Sequence, residues 1–148
     1  MRQRLALRAL VLLACMLASS AHAERSVVLV TNAECQIDSL SMLEVRKAYF
    51  GLAVSFDRQP IRAFRLNNDE ELNQVFFQAV VAMSERSYER RLLSLLLKYG
   101  SPRPQEFYEV RELARAVRRS NCGIGYMWLD DVAAEQGLRS IRLLWQGD

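Results

Sequence analysis

Gly123-Ile124-Gly125-Tyr126-Met127-Trp128 reads as a strand entered through glycines. Near the start of the chain, Val27-Val28-Leu29-Val30 is a short, wholly apolar, β-branched run. That is the pattern of a strand buried on both faces. Two more strands are expected: Ile61 to Leu66, opened by Pro60, and a final one in which Ile141, Leu143 and Trp145 alternate. Helical segments lie between them. Strands separated by helices argue for a mixed α/β sheet with helices packed on it.

The helices carry their own start and stop signals. Ser41-Met42-Leu43-Glu44 is a capping box, with Leu40 and Val45 placed as a hydrophobic staple. Met42, Val45, Ala48 and Tyr49 make the apolar stripe, and Gly51 is placed to cap the C-terminus. A second, long helix is expected to be capped by Asn67 or Asn68, with Asp69, Glu70 and Glu71 in its first turn. Leu72, Val75, Phe76, Ala79, Val80 and Met83 form its stripe. A third starts at Ser84, turns Tyr88, Leu92, Leu95, Leu96 and Tyr99 inward, and stops at Gly100 and Pro102. A fourth runs from about Gln105 to Arg118 with Val110, Leu113, Ala114 and Val117 facing in. The expected order is β-α-β-α-α-α-β-β.

The first 23 residues form a distinct unit. Arg2, Arg4 and Arg8 precede an apolar run from Ala9 to Ala18, and Ala21-His22-Ala23 closes it. These are the three regions of a cleavable secretory signal, with cleavage after Ala23. The run is too short to span a bilayer, which takes about 20 apolar residues. Residues 24–148 are then expected to fold as one domain outside the cytoplasm. A competing reading takes Leu12-Leu13-Ala14-Cys15 as a loose lipobox, with a poor fit just before the alanine.

Subtracting the leader changes the chemistry. The whole chain has 20 Lys+Arg against 17 Asp+Glu; the leader holds three arginines and no acid, which leaves 17 against 17. The sequence pI of about 9.0 belongs to the leader, and a neutral mature chain gives no support for binding nucleic acid. His22 is the only histidine, so residues 24–148 offer no imidazole for a triad, a dyad or a common zinc site. Tyr126 beside Asp130 and Asp131 is the one polar cluster that suggests an enzyme, and a strand tyrosine followed by helix-capping acids explains it as well. No enzyme, no cofactor and no metal are expected. Cys35 and Cys122 remain, and two cysteines in an oxidising compartment most simply pair. The alternative is two unpaired thiols. A bridge would bring the end of the first strand to the start of the Gly123 strand, which makes the two strands near neighbours and antiparallel.

The order of these segments resembles a known family. Leu40-Ser41, Phe50-Gly51, Pro60-Ile61, Phe76-Phe77, Tyr88, the Gly100 to Pro104 turn and Gly123-Ile124-Gly125-Tyr126 are similar to successive segments of phosphate ABC-transporter substrate-binding proteins. The resemblance runs from about Val27 to Leu144. It implies an α/β fold: a single periplasmic-binding-protein-like lobe, with about four strands and about four helices. Full receptors have two lobes, whereas the short single-lobe proteins of Gram-negative bacteria have one.

The resemblance also implies a cleft, to which Asn32, Ser41, Arg65 and Asn68 are the nearest polar groups by position. Capping and turn chemistry account equally for Ser41 and Asn68. Two departures bear on the ligand. Phe56 stands roughly where the family has a tryptophan. Where the family carries a Ser-Gly-Thr turn ahead of a helix, this chain reads Asn67-Asn68-Asp69-Glu70-Glu71, and three carboxylates there would repel a phosphate. The reading favoured is an exported, non-catalytic interaction module that partners a membrane-bound sensor or transporter, without stable membrane insertion. The alternative is a receptor for phosphate or another small anion. Trp128 and Trp145 are candidate interface anchors, with a place in the core the favoured account of both.

Overall fold

Strand β1 (Ser26–Asn32) is paired on both sides within the main sheet, in a computed structural model that describes residues 24–147. The leader, its cleavage site and Cys15 lie outside the described residues. Five strands form the main sheet in the order β5-β4-β6-β1-β7, where β4 is Arg62–Leu66, β5 Gln105–Phe107, β6 Gly123–Trp128 and β7 Leu138–Gln146. β4 runs parallel to both β5 and β6, while β1 is antiparallel to β6 and β7. Val27 to Val30 and all of β6 are buried, as a strand covered on both faces requires. The sheet is thus mixed α/β as expected, with one strand more than expected.

Cys35 and Cys122 are bridged, with Cα atoms 5.5 Å apart. The expectation that β1 and β6 are antiparallel neighbours holds as well: Thr31 pairs with Ile124 and Val27 with Trp128. The loop after Cys35 is held from β7. Arg139 Nη2 donates to the Cys35 and Ile37 carbonyls at 2.6 and 2.5 Å, and Arg142 Nη1 to that of Leu40 at 2.9 Å.

Helix α1 (Met42–Tyr49) begins with the complete capping box of Ser41 and Glu44. It ends at Gly51, whose φ of 70° puts it in the left-handed region that glycine adopts without a Cβ penalty. A two-stranded hairpin, β2 (Ser55–Phe56) and β3 (Gln59–Pro60), follows. It escaped the sequence reading because its turn residues, Asp57 and Arg58, take positive φ without a glycine. Pro60 therefore belongs to the hairpin.

Five other expectations need correcting. The cap of α2 (Glu70–Val75) is Asp69, whose carboxylate accepts from Leu72 N–H at 2.5 Å; the Asn67 side chain is engaged elsewhere. The helix is also not continuous, for Phe76–Val80 forms a π-helical turn. In α3 (Glu85–Tyr99), Tyr88, Leu92 and Leu95 are buried, but Leu96 is 39% and Tyr99 74% exposed: Leu96 sits at the edge of the buried stripe, and Tyr99 is the last residue of the helix. Finally, Gln105–Phe107 is strand β5, and helix α4 starts only at Val110 and ends at Arg119. A three-residue strand is too short to show alternation. In β7, register shifts between Val27/Val28 and Leu29/Val30 of its partner break the simple alternation, so Leu143 is exposed while Ile141 and Trp145 are half-buried.

Candidate functional site

The parallel strands β4, β5 and β6 end at one edge of the sheet, where α2, α4 and the short helix α5 (Leu129–Ala134) begin. In open α/β sheets this edge is where ligands bind. Beneath it lies an aromatic floor. Phe76 stacks on Tyr126 at 5.0 Å and meets Tyr49 and Tyr88 edge-on at 5.3 and 5.4 Å. Each buried hydroxyl donates to a main-chain carbonyl: Tyr49 to Phe64, Tyr88 to Tyr49 and Tyr126 to Leu66, at 3.0, 2.6 and 3.0 Å. Burial pushes the Tyr126 phenol up to about 12, so it stays a neutral donor. Its bond to Leu66 O leaves nothing for Asp130 or Asp131, and the polar cluster considered for an enzyme does not form around it.

Arg65 is the buried cation of this edge, with 5% of its side chain exposed. Its guanidinium lies 4.6 Å from the Phe76 ring centroid and 5.4 Å from those of Phe77 and Tyr88. Glu106, opposite it in the parallel β4–β5 register, accepts from Nη1 at 3.2 Å, and Glu89 of α3 stands at 3.9 Å. Burial works against the charge, but Tyr126 and Glu106 outweigh it and hold the guanidinium protonated. The other Glu106 oxygen accepts from Asn67 Nδ2 at 2.6 Å, and Asn67 Oδ1 accepts from Asn73. The charge is paired within the protein, while Arg65 Nε and Asn73 Oδ1 are buried without a hydrogen-bond partner.

The start of α2 is closed in the same manner. Asp69 Oδ1 takes the Leu72 N–H, and Asp69 Oδ2 takes the Trp128 indole N–H at 3.0 Å. Arg25 lies over the Trp128 ring, 3.7 Å from its centroid, and pairs with Glu71 at 2.6 Å. A helix N-terminus that elsewhere could hold an anion here holds the protein's own carboxylate. Trp128 is buried and meets the half-buried Trp145 edge-on at 6.1 Å, which favours the core account of both.

The four polar groups nearest the expected cleft are not brought together. Asn32, at the far end of β1 level with the start of β6, donates to the Arg118 and Ser120 carbonyls. The Ser41 hydroxyl is spent on Glu44. Arg65 and Asn68 do lie at the same edge. Asn68 lines both of its cavities: one of about 610 Å³ toward Glu109, Arg115 and Asp131, another of about 430 Å³ toward Asp69, Asn73 and Phe77. Glu106, Glu89, Asn67 and Asn73 were missed. The signal for Glu106 was an opposite charge one strand away from Arg65, readable only once β5 is known. Among the described residues no group of three or more His, Cys, Asp or Glu side chains is placed to hold a metal.

Solved structures share this architecture. The fold is that of a single periplasmic-binding-protein lobe. An ABC-type phosphate transport receptor from Vibrio cholerae superposes with a TM-score of 0.60 over 81% of this chain at 12% identity. PstS from Borrelia burgdorferi gives 0.53 over 80% at 12%. The match takes up 46% and 47% of those two chains, so this chain spans less than half of each. No protein-family model matches the sequence, and no curated protein matches it.

Proposed function

We propose that the protein is an exported, non-catalytic interaction module: one binding-protein lobe that docks on a membrane-bound sensor or transporter component. The observation that carries this reading is the closure of the sheet edge. Arg65, the cation an anion would seek, is already neutralised by Glu106 and Glu89, and Asp69 occupies the start of α2. An incoming phosphate would have to reach a 5%-exposed guanidinium and sit beside its carboxylate partner. Like charges at about 4 Å cost on the order of 1–4 kcal/mol. The leader-like segment and the lack of histidine in residues 24–148 point the same way.

Isothermal titration of the purified protein with phosphate and sulfate tests the closure: no heat of binding is expected at millimolar anion. Photo-crosslinking from Asn68 in intact cells tests the docking, with one reproducible membrane-protein adduct as the expected result. Micromolar phosphate binding would instead establish the second reading, a small-anion receptor feeding a transporter. That reading draws on the fold shared with phosphate receptors and on the two cavities at the edge.

A further inference from the structure

Eight large apolar side chains stand exposed among the described residues, and Leu93, Leu96, Leu97 and Tyr99 cluster in the last two turns of α3. Leu97 is the extreme case at 77% exposure. Helical spacing places Arg86, Arg90, Leu93 and Leu97 in one outward line, four, three and four residues apart. Arg91 and Lys98, also exposed, lie together on one side of the helix, more than about 100° round from that line. Of the two acids in α3, Glu89 is turned toward Arg103 and Arg65. Residues 24–148 are neutral as a whole, yet the exposed surface of α3 sets two cations in line with these leucines and two more along one side.

The charge decides among occupants. A second copy meeting this face would set four cations against four. An anionic bilayer matches both layers of it: phosphates for the cations and acyl chains for the leucines. No helix among the described residues is long and apolar enough to cross a membrane, so such contact is peripheral. We propose that the outward face of α3 docks the protein on an anionic lipid surface, with Arg86, Arg90, Arg91 and Lys98 at the phosphate layer and Leu93 and Leu97 dipping beneath it. The docking depends on this helix surface alone, so it and the closed sheet edge can fail separately.

Sedimentation with vesicles of phosphatidylglycerol and phosphatidylcholine in equal parts, at low ionic strength, reads the docking directly. Partition into these vesicles is expected, and neutral phosphatidylcholine vesicles should take up little. Arg86→Ser with Arg90→Ser should weaken it about 25-fold, at about fivefold per arginine. Leu93→Ser with Leu97→Ser should weaken it on the same vesicles, and both pairs should leave the melting temperature nearly unchanged because the side chains are exposed. Absence of partition into the anionic vesicles overturns the proposal. So does partition that either pair of substitutions leaves intact, and so does capture of an acidic amphipathic peptide by the same residues when vesicles are ignored.

Discussion

Replacing Glu106 by glutamine tests whether the protein supplies its own anion. Glutamine keeps the shape and leaves an oxygen for Asn67, but Arg65 loses its nearest negative charge. Glu89, at 3.9 Å and 40% exposed, is left as a weaker partner. A hydrogen bond to a charged group is worth about 1.5–3 kcal/mol and a neutral one about 1 kcal/mol, so the net loss is about 1–2 kcal/mol. Full rupture of a buried pair would cost more, but Glu106 is 29% exposed and solvent makes up part of the difference. For a domain of this size that loss lowers the melting point by roughly 3–8 °C. Differential scanning calorimetry of Glu106→Gln, with and without phosphate, separates the explanations. With the carboxylate gone, phosphate should raise the melting point of the variant and leave the parent unmoved, because a ligand stabilises only the state it binds. Adding Arg65→Met should recover part of the loss and abolish the phosphate effect. A variant that melts within 1 °C of the parent, or a parent that phosphate stabilises, would refute the reasoning.

Three further outcomes follow from particular contacts. The Cys35–Cys122 bridge joins residues 87 apart, and chain entropy assigns such a loop about 4–5 kcal/mol; urea unfolding of Cys35→Ser with Cys122→Ser should show a loss of that order, and a loss under 1 kcal/mol would count against it. A Cβ at Gly51 would stand 2.1 Å from the Pro102 carbonyl oxygen at a φ of 70°, so Gly51→Ala should cost about 2–5 kcal/mol, with a full-strength thermal transition disproving the clash. The Asp131 carboxyl is raised above its usual range by burial, then by Asp130 and Asp69, with Arg25 opposing. The folded state then holds that proton more tightly than the unfolded chain, so the ionised group costs stability as pH rises through the raised value. Asp131→Asn should therefore stabilise at neutral pH and lose its advantage near about pH 3, whereas a pH-independent gain would contradict the assignment.

What the sequence made legible was whatever depends on local chemistry. The Ser41–Glu44 box, the stop at Gly51 and the apolar runs of β1 and β6 each announce themselves within a few residues, because caps, left-handed turns and double burial have narrow residue preferences. The disulfide was legible by elimination, and it carried the β1–β6 pairing with it. The chemistry of the sheet edge was not legible, because it is built from partners far apart in the chain. Glu106 meets Arg65 only through a three-residue strand, and Asp69 meets Trp128 across 59 residues. Asp69, Glu70 and Glu71 could be read as hostile to an anion, but not as parts with separate tasks. Asp69 caps α2 and holds an indole, Glu71 pairs with Arg25, and Glu70 stays in solvent. The edge is thus anion-poor for a stronger reason than repulsion. Its buried cation is already paired with Glu106 and the start of α2 is capped by Asp69, so the edge can be poor in anion affinity while keeping the arginine.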